Sequence, residues 1–340
     1  MDTLVDDIGS FPLPDEVSRE TFNKAYQLAR EAIISGSDVR KDPFLLKNFW
    51  EVTVDSFKKK LFSGLDMVTY PQQYDGMKQV SDVIHAAMNT GSFLVEEKKA
   101  VLPEVHVINE EAKALSEAYG KSIPLRVSVF GPLEQYLKEV GRTPYSDVLG
   151  SFAETIRRFA KNSILNSKHV KTAVVSIDEP SFGFQTIAAE SDVIRDVLEK
   201  AFDFQGAVRQ VHLHSPAGLP DVLEVKNIDV VSFEYAASPK NIEGVSRKML
   251  EDADKHIRVG VSRTDIDSIV AELYDRGVAK PTAEQLVDDE AVIRKRYLAA
   301  KEKFRERMTF TGPDCGVGSW PSQEAACLLL EKTVKALKSC

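Results

Sequence analysis

Cysteine is scarce in this sequence. Among 340 residues it occurs only at Cys315, Cys327 and Cys340. The three are far apart, odd in number and without C-x-x-C spacing, so we expect no disulfide scaffold and a reducing, cytoplasmic environment. A chain of this length buries enough apolar surface to be stable without such cross-links.

Long apolar runs and an excess of positive charge are also missing. No stretch approaches the about 18 apolar residues that span a bilayer. Residues 1–7 lack the basic start and apolar run of a signal peptide. The net charge is −8 at pH 7, which argues against nucleic acid and anionic membranes as partners.

The sequence also contains no Pro/Gly/Ser-rich linker, no low-complexity tract and no internal repeat. Hydrophobic residues make up 43% and charged residues 28% of the chain, which is the balance of a globular protein. We therefore predict one domain spanning residues 1–340.

Short apolar runs, rich in β-branched residues, alternate with longer stretches of helical periodicity. The predicted strands are a first one ending near Ile8, then residues 65–69, 127–130, 172–177, 208–211, 229–233, 257–261 and 308–311. Helices are predicted between them, most clearly over 146–166, 282–305 and 322–338. Alternating strands and helices indicate a parallel sheet.

Eight such units predict an α/β fold closed into a (β/α)8 TIM barrel, with a doubly wound open sheet as the alternative. The early connections are long. We expect two helices within residues 13–63, a helix near 76–89, and an irregular or hairpin segment near 92–107.

Polar side chains follow several predicted strands, where the active sites of such barrels lie. Asp178 follows the fourth strand, His212 and His214 the fifth, Glu234 the sixth and Cys315 the eighth. Alone, each has an ordinary alternative: a hydrogen-bonded histidine, a helix-capping glutamate or a small buried cysteine. Together, nitrogen, oxygen and sulfur donors at neighbouring strand ends indicate a zinc site.

These residues resemble the C-terminal catalytic barrel of cobalamin-independent methionine synthase. The matching blocks run in the family's order over nearly the whole chain: Ile8-Gly9-Ser10-Phe11-Pro12, Ile177-Asp178-Glu179-Pro180, His212-Leu213-His214, Phe233-Glu234, Pro313-Asp314-Cys315-Gly316 and Trp320-Pro321. The sequence shows no counterpart of the second, N-terminal barrel of the folate-dependent enzymes. It therefore resembles the short "core" methionine synthases.

The resemblance implies a zinc-dependent methyltransferase that moves a methyl group from methylcobalamin, or from a methylated corrinoid protein, to the thiol of homocysteine. It also implies the roles of the site residues. His212, Glu234 and Cys315 would bind zinc, and His214, at the position of the family's second ligand, would bind it too unless it is not a ligand. Asp178 would hold the substrate's amino group, and Ser10 with the backbone of Ile8 would bind the amino-acid end.

Four positions depart from the family pattern. His214 stands where the family has a cysteine ligand, Gln72 where it has a glutamate that contacts homocysteine, and Asp265 where it has a histidine. The Asn-Trp segment linked to the folate ring has no counterpart after Gly131-Pro132, which favours a donor other than folate. We expect Gln72 to bind substrate, and Asp265 to orient a zinc ligand or the substrate unless it only caps the following helix.

Three other functions remain open. A methyl-corrinoid:coenzyme M methyltransferase, or a transferase to another small thiol, would use the same barrel and zinc chemistry. A metal-free decarboxylase like that for uroporphyrinogen would need arginines near the early strand ends, and none directly follows Ile8-Gly9-Ser10. A non-catalytic barrel that binds a corrinoid protein would retain only a vestigial site.

Overall fold

Eight parallel strands form the centre of the structure, a computed structural model that describes residues 3–185 and 187–338. Within these ranges the strands are β1 (Leu4–Val5), β2 (Val68–Thr69), β3 (Ile123–Phe130), β4 (Val170–Asp178), β5 (Val208–Leu213), β6 (Val230–Phe233), β7 (His256–Ser262) and β8 (Met308–Pro313). They hydrogen-bond in the order β1-β8-β7-β6-β5-β4-β3-β2. Each predicted strand therefore has a counterpart in the sheet.

The sheet curls so that its first and last strands meet. β1 pairs with β8, while the amides of Asp66 and Met67, just before β2, donate to the carbonyl of Val5 at 2.8 and 3.2 Å. Parallel strands with helices between them, curled in this way, confirm the (β/α)8 TIM barrel. The doubly wound alternative is wrong, because an open sheet would leave β1 and β2 apart.

Helices connect the strands and cover the outside of the barrel. The helix α8 (Ser146–Asn162) shows why they form there. Its apolar residues recur at helical spacing and are all buried: Leu149, Phe152, Ile156 and Phe159. The helices are α1 (Arg19–Ser35), α2 (Pro43–Leu45), α3 (Glu51–Leu61), α4 (Gly76–Met88), α5 (Pro103–Glu110), α6 (Ala112–Tyr119), α7 (Pro132–Glu139), α8 (Ser146–Asn162), α9 (Ser191–Ala201), α10 (Leu219–Glu224), α11 (Arg247–Asp252), α12 (Ile266–Asp275), α13 (Ala283–Leu286), α14 (Glu290–Phe304) and α15 (Gln323–Lys338).

The early connections hold the predicted extra helices, with one difference. Two helices were predicted within residues 13–63. They correspond to α1 and to the helical stretch from α2 to α3, in which the π-helical residues Leu46–Trp50 join the two helices. The segment predicted as irregular or hairpin near 92–107 contains a 3-10 turn over Glu97–Lys99, and then α5 begins at Pro103. Proline there starts the helix, since the first helical position needs no backbone donor.

Two arginines lie inside the barrel beneath the carboxyl ends of the strands. Arg258 Nε is 2.7 Å from Asp6 Oδ1, and Arg126 Nε is 3.5 Å from Asp6 Oδ2, with all three side chains fully buried. Arg126 Nη1 also donates to the carbonyl of Ile8 at 2.6 Å. This network fixes the chain just before Ser10 and places positive charge under the site.

The two cysteines that the structure describes are not bonded to each other. Cys315 and Cys327 are both free thiols, and Cys340 lies outside the described residues. Within the described part of the chain, no helix combines the length and apolar character needed to cross a bilayer.

Candidate metal centre

The four residues predicted to bind metal converge at the carboxyl ends of three strands. His212 lies near the end of β5, with His214 directly after that strand. Glu234 follows β6, and Cys315 comes two residues after β8. One ligand atom from each lies within 4.8 Å of the others. This convergence follows from the parallel barrel, which brings successive strand ends to one face.

The imidazole of His212 is oriented by the neighbouring strand. His212 is paired with Ser232 of β6, and its Nδ1 lies 3.0 Å from Ser232 Oγ. Its Nε2 is buried and has no hydrogen-bond partner. A buried nitrogen without a partner is costly, and a neutral imidazole whose other nitrogen is hydrogen-bonded is the usual form of a histidine metal ligand.

The ligand atoms of the other three residues lie close to one another and within 4.8 Å of a ring nitrogen of His212. His214 Nε2 lies 3.7 Å from Cys315 Sγ and 3.5 Å from Glu234 Oε1. The two histidine rings are 5.3 Å apart, centre to centre, at an interplanar angle of 72°. The separation of His214 from Glu234 exceeds a normal hydrogen bond, and both separations suit donors arranged around a shared ion.

Without a cation, the four groups all favour their neutral forms. Burial, with the nearby carboxylates of Asp314 and Asp265, raises the pKa of Glu234 to about 8. Burial and then Glu234 raise the pKa of the Cys315 thiol to about 12, and burial lowers the pKa of both His212 and His214. A divalent cation would reverse the first two shifts, because it stabilises the anionic forms.

The donor set fits zinc. Imidazole nitrogen, thiolate sulfur and carboxylate oxygen are the ligands that zinc accepts, in a tetrahedral set of four. Calcium and magnesium prefer oxygen ligands alone. The residues present and the unpartnered His212 Nε2 therefore fit the metal that the sequence predicted.

Two non-ligand side chains join the segments that carry the ligands. The buried Asp314 carboxylate accepts the amides of Tyr235, Ala236 and Ala237 at 2.9, 3.0 and 2.7 Å, directly after Glu234. Asn241 Nδ2 donates to the carbonyls of His214 and Glu234 at 2.8 and 3.0 Å.

Asp178 ends β4 and faces the same cavity as the histidines. Its carboxylate accepts Ser176 Oγ at 2.6 Å and also Ser128 Oγ. Burial raises its pKa, while the buried Arg126 guanidinium opposes that shift. A buried carboxylate held by two hydroxyls and a nearby cation is prepared to accept further hydrogen bonds from a cationic group.

Ile8, Ser10 and Gln72 line this cavity of about 600 Å³ together with Asp178 and the metal-centre residues other than Glu234. Ser10 Oγ accepts the amide of Gly318 at 3.1 Å. Gln72 is 7% exposed, has a backbone φ of 46°, and its Nε2 is buried without a hydrogen-bond partner. Backbone strain of this kind is concentrated at binding and active sites, and a buried donor without a partner is uncommon elsewhere.

Asp265 is directed differently from the other predicted residues. Its two carboxylate oxygens accept Arg263 Nε and Nη2 at 3.0 and 2.8 Å. It precedes α12 without capping that helix through its side chain. Its carboxylate also raises the pKa of Glu234, after burial and Asp314.

Sequence reasoning missed Ser232 and Asn241 and gave no role to Asp314, Ser128 or Ser176. The usable signal was a serine within a strand otherwise made of apolar residues, as at Ser232 between Val231 and Phe233. Nothing in the sequence around Asn241 indicates its two carbonyl contacts, because these depend on how two loops approach each other.

Comparison with known proteins finds the same architecture at low identity. No protein-family model and no curated protein sequence matches the chain. It is similar to the solved structure of a B12-independent methionine synthase from Shewanella sp. W3-18-1 in complex with selenomethionine, at 16% identity over 100% of this chain and 98% of that one, with a TM-score of 0.61. It is also similar to a putative vitamin-B12 independent methionine synthase from Listeria monocytogenes, at 15% identity over 99% and 98% of the two chains, with a TM-score of 0.57. At these identities the likeness shows that the barrel fold is shared along essentially the whole of both chains.

Proposed function

We propose that this chain is a zinc-dependent methyltransferase, a single catalytic barrel over residues 1–340, that transfers a methyl group from a methylated corrinoid to the thiol of homocysteine and so forms methionine. The observation that carries the proposal is the convergence of four ligand atoms from His212, His214, Glu234 and Cys315 within 4.8 Å. The two similar solved structures support the methionine-forming part of the proposal. One is described as a B12-independent methionine synthase in complex with selenomethionine, the selenium analogue of methionine, and the other as a putative vitamin-B12 independent methionine synthase.

Zinc bound here would supply one piece of chemistry, the ionisation of the acceptor thiol, whose pKa of roughly 8.5 or above otherwise leaves little thiolate at neutral pH. With two neutral histidines and two anionic ligands, the centre would carry no net charge. Of the four residues, Glu234 is the one that we expect to yield its position to the substrate sulfur.

The transfer itself is a displacement at carbon. The acceptor sulfur attacks the methyl carbon in line, the sulfur–carbon bond forms as the cobalt–carbon bond breaks, and the electron pair of that bond stays with cobalt. The chain's contribution is alignment: holding both reactants in one orientation removes much of the entropic part of the barrier.

The amino-acid end of homocysteine fits the polar side of the cavity. The Asp178 carboxylate would accept hydrogen bonds from the ammonium group, and the unpartnered Gln72 Nε2 would donate to the carboxylate. Ser10 would help to close this end, since Gly316 and Gly318 lie against it so tightly that a Cβ on either would contact Ser10 atoms at 2.3 and 2.8 Å.

The neutral amide of Gln72 is equally suited to the alternative acceptor. A buried N–H donor would bind the sulfonate of coenzyme M, or the anionic group of another small thiol, as readily as a carboxylate. Coenzyme M has no ammonium group, however, and would leave Asp178 without a cationic partner. Asp178 is therefore the reason for preferring homocysteine.

An anaerobic assay with defined donors and acceptors tests the proposal. Methylcobalamin and methyltetrahydrofolate are each supplied with homocysteine or coenzyme M, and zinc is quantified in the same protein. We expect about one zinc per chain and methionine formation from methylcobalamin. Cys315→Ser should lose zinc and activity together, and Cys327→Ser, a free thiol on α15, should keep both. Zinc and activity retained in Cys315→Ser would contradict the proposal.

A further inference from the structure

Three of the four ligands of the candidate centre lie on separate segments after the strands, and such segments are normally the most mobile part of a barrel. His214, Glu234 and Cys315 follow β5, β6 and β8. Their spacing therefore depends on contacts between these segments, beyond the sheet itself.

The first such contact is made by Asn241. It lies on the 3-10 turn Pro239–Ile242 and is buried. Its Nδ2 donates to the carbonyl of His214 at 2.8 Å and to that of Glu234 at 3.0 Å. An amide nitrogen carries two hydrogens, so both are used to join the backbones of two ligand residues.

The second contact is made by Asp314, the residue before Cys315. Its carboxylate accepts three consecutive amides, at residues 235–237, directly after Glu234. The fit is tight, since a Cβ on Gly260 would approach Asp314 Oδ1 to 2.3 Å. The segment that carries Glu234 is thus tied to the His214 segment by Asn241 and to the Cys315 segment by Asp314.

We propose that Asn241 and Asp314 are positioning residues for the metal centre. Asn241 sets the separation of His214 from Glu234, and Asp314 sets that of Glu234 from Cys315, so that the ligand atoms are held at a spacing suited to a four-coordinate ion. The inference rests on the proposed function. It assigns the geometry of the centre to two side chains that touch neither metal nor substrate.

Metal binding and the spectrum of the cobalt-substituted protein test this role without an activity assay. Asn241→Ala removes both donors, Asn241→Ser retains one hydroxyl donor, and Asp314→Asn removes the charge that holds three amides. Affinity is measured by competition with a chromophoric chelator, and cobalt absorption reports both the thiolate ligand and the coordination number. Thermal unfolding shows that each variant is folded.

Asn162→Ala is the matched control. Asn162 Nδ2 also bridges two backbone carbonyls, of Glu97 at 2.7 Å and Ala100 at 3.0 Å. It ends α8 and precedes β4, which places it at the opposite face of the barrel from the metal centre. Its substitution removes the same number of side-chain hydrogen bonds, here from an exposed asparagine, without touching a ligand segment.

We expect Asn241→Ala and Asp314→Asn to weaken zinc binding by about 10–100-fold, the usual effect of losing a side chain that orients ligands. The cobalt spectrum should shift from four-coordinate towards higher coordination, with Asn241→Ser intermediate and Asn162→Ala unchanged. Wild-type affinity and spectrum in Asn241→Ala would overturn the inference, as would an equal loss in Asn162→Ala. A wild-type chain that binds neither ion through a thiolate would instead overturn the proposed function, and the inference with it.

Discussion

His212 and Ser232 lie opposite each other on β5 and β6, with His212 Nδ1 3.0 Å from Ser232 Oγ. The contact leaves His212 Nε2 buried, unpartnered and adjacent to the other three ligand groups. When the serine hydroxyl accepts a hydrogen bond from Nδ1–H, the imidazole is in the tautomer whose Nε2 lone pair can bind a metal.

Replacing that serine should weaken the metal centre with little effect on the fold. We expect Ser232→Ala to lower zinc affinity by about 10–100-fold and the free energy of unfolding of the metal-free protein by only about 1 kcal/mol. Ser262→Ala is the control, since Ser262 is also a buried strand serine but bonds to Thr333. Chelator competition and urea unfolding measure the two effects. Equal zinc affinities in the two variants would remove Ser232 from the account.

Asp178 should determine which thiol is accepted. Asp178→Asn keeps the shape of the side chain but removes the charge that would bind an ammonium group, a loss of about 1.5–3 kcal/mol, or about 10–100-fold in affinity. We therefore expect the KM for homocysteine to rise by that factor. The KM for 3-mercaptopropionate, which has no amino group, should change little, and zinc content should stay constant. An equal rise for both thiols would contradict an ammonium site at Asp178.

Glu104 should make stability depend on pH. It is fully buried behind the cavity, where it accepts the amide of Gln73 at 2.9 Å and Gln79 Nε2 at 3.2 Å. Burial raises its pKa from 4.5 to about 7. The folded chain therefore holds this proton more tightly than the unfolded chain, and stability falls as the pH rises through that window.

Urea unfolding of the metal-free protein, prepared with a chelator, measures the effect between pH 4.5 and about 7. We expect the contribution of Glu104 to change by on the order of 3 kcal/mol. Glu104→Gln, which cannot ionise, should flatten the pH profile relative to wild type. An unchanged profile in the variant would show that Glu104 does not titrate in this range.

Most of the fold could be predicted from the sequence because a parallel barrel repeats one simple pattern. Buried strands such as Val230–Phe233 are short, mostly apolar runs, and amphipathic helices such as α8 show a clear period. The exception was α5, which begins at Pro103 within the segment predicted as irregular or hairpin near 92–107. A short helix also shows too few turns for its period to be recognised.

The site was predictable only as far as side chains follow strand ends. The sequence correctly indicated that His212, His214, Glu234 and Cys315 would meet, because the ends of parallel strands share one face. It could not indicate Asn241, whose contacts depend on the path of two loops, nor that Asp265 would be held by Arg263. Pairing between nearby charged residues is decided by local geometry that a sequence pattern does not encode.

The most direct test of the metal centre is X-ray absorption at the zinc edge of the purified, zinc-loaded protein, with Cys315→Ser beside it. The proposed centre predicts one sulfur at about 2.3 Å and nitrogen or oxygen neighbours at about 2.0–2.2 Å, with the sulfur signal lost in the variant. A zinc environment without sulfur in the wild-type protein, or the same sulfur signal in Cys315→Ser, would contradict the claim that these four side chains share one metal ion.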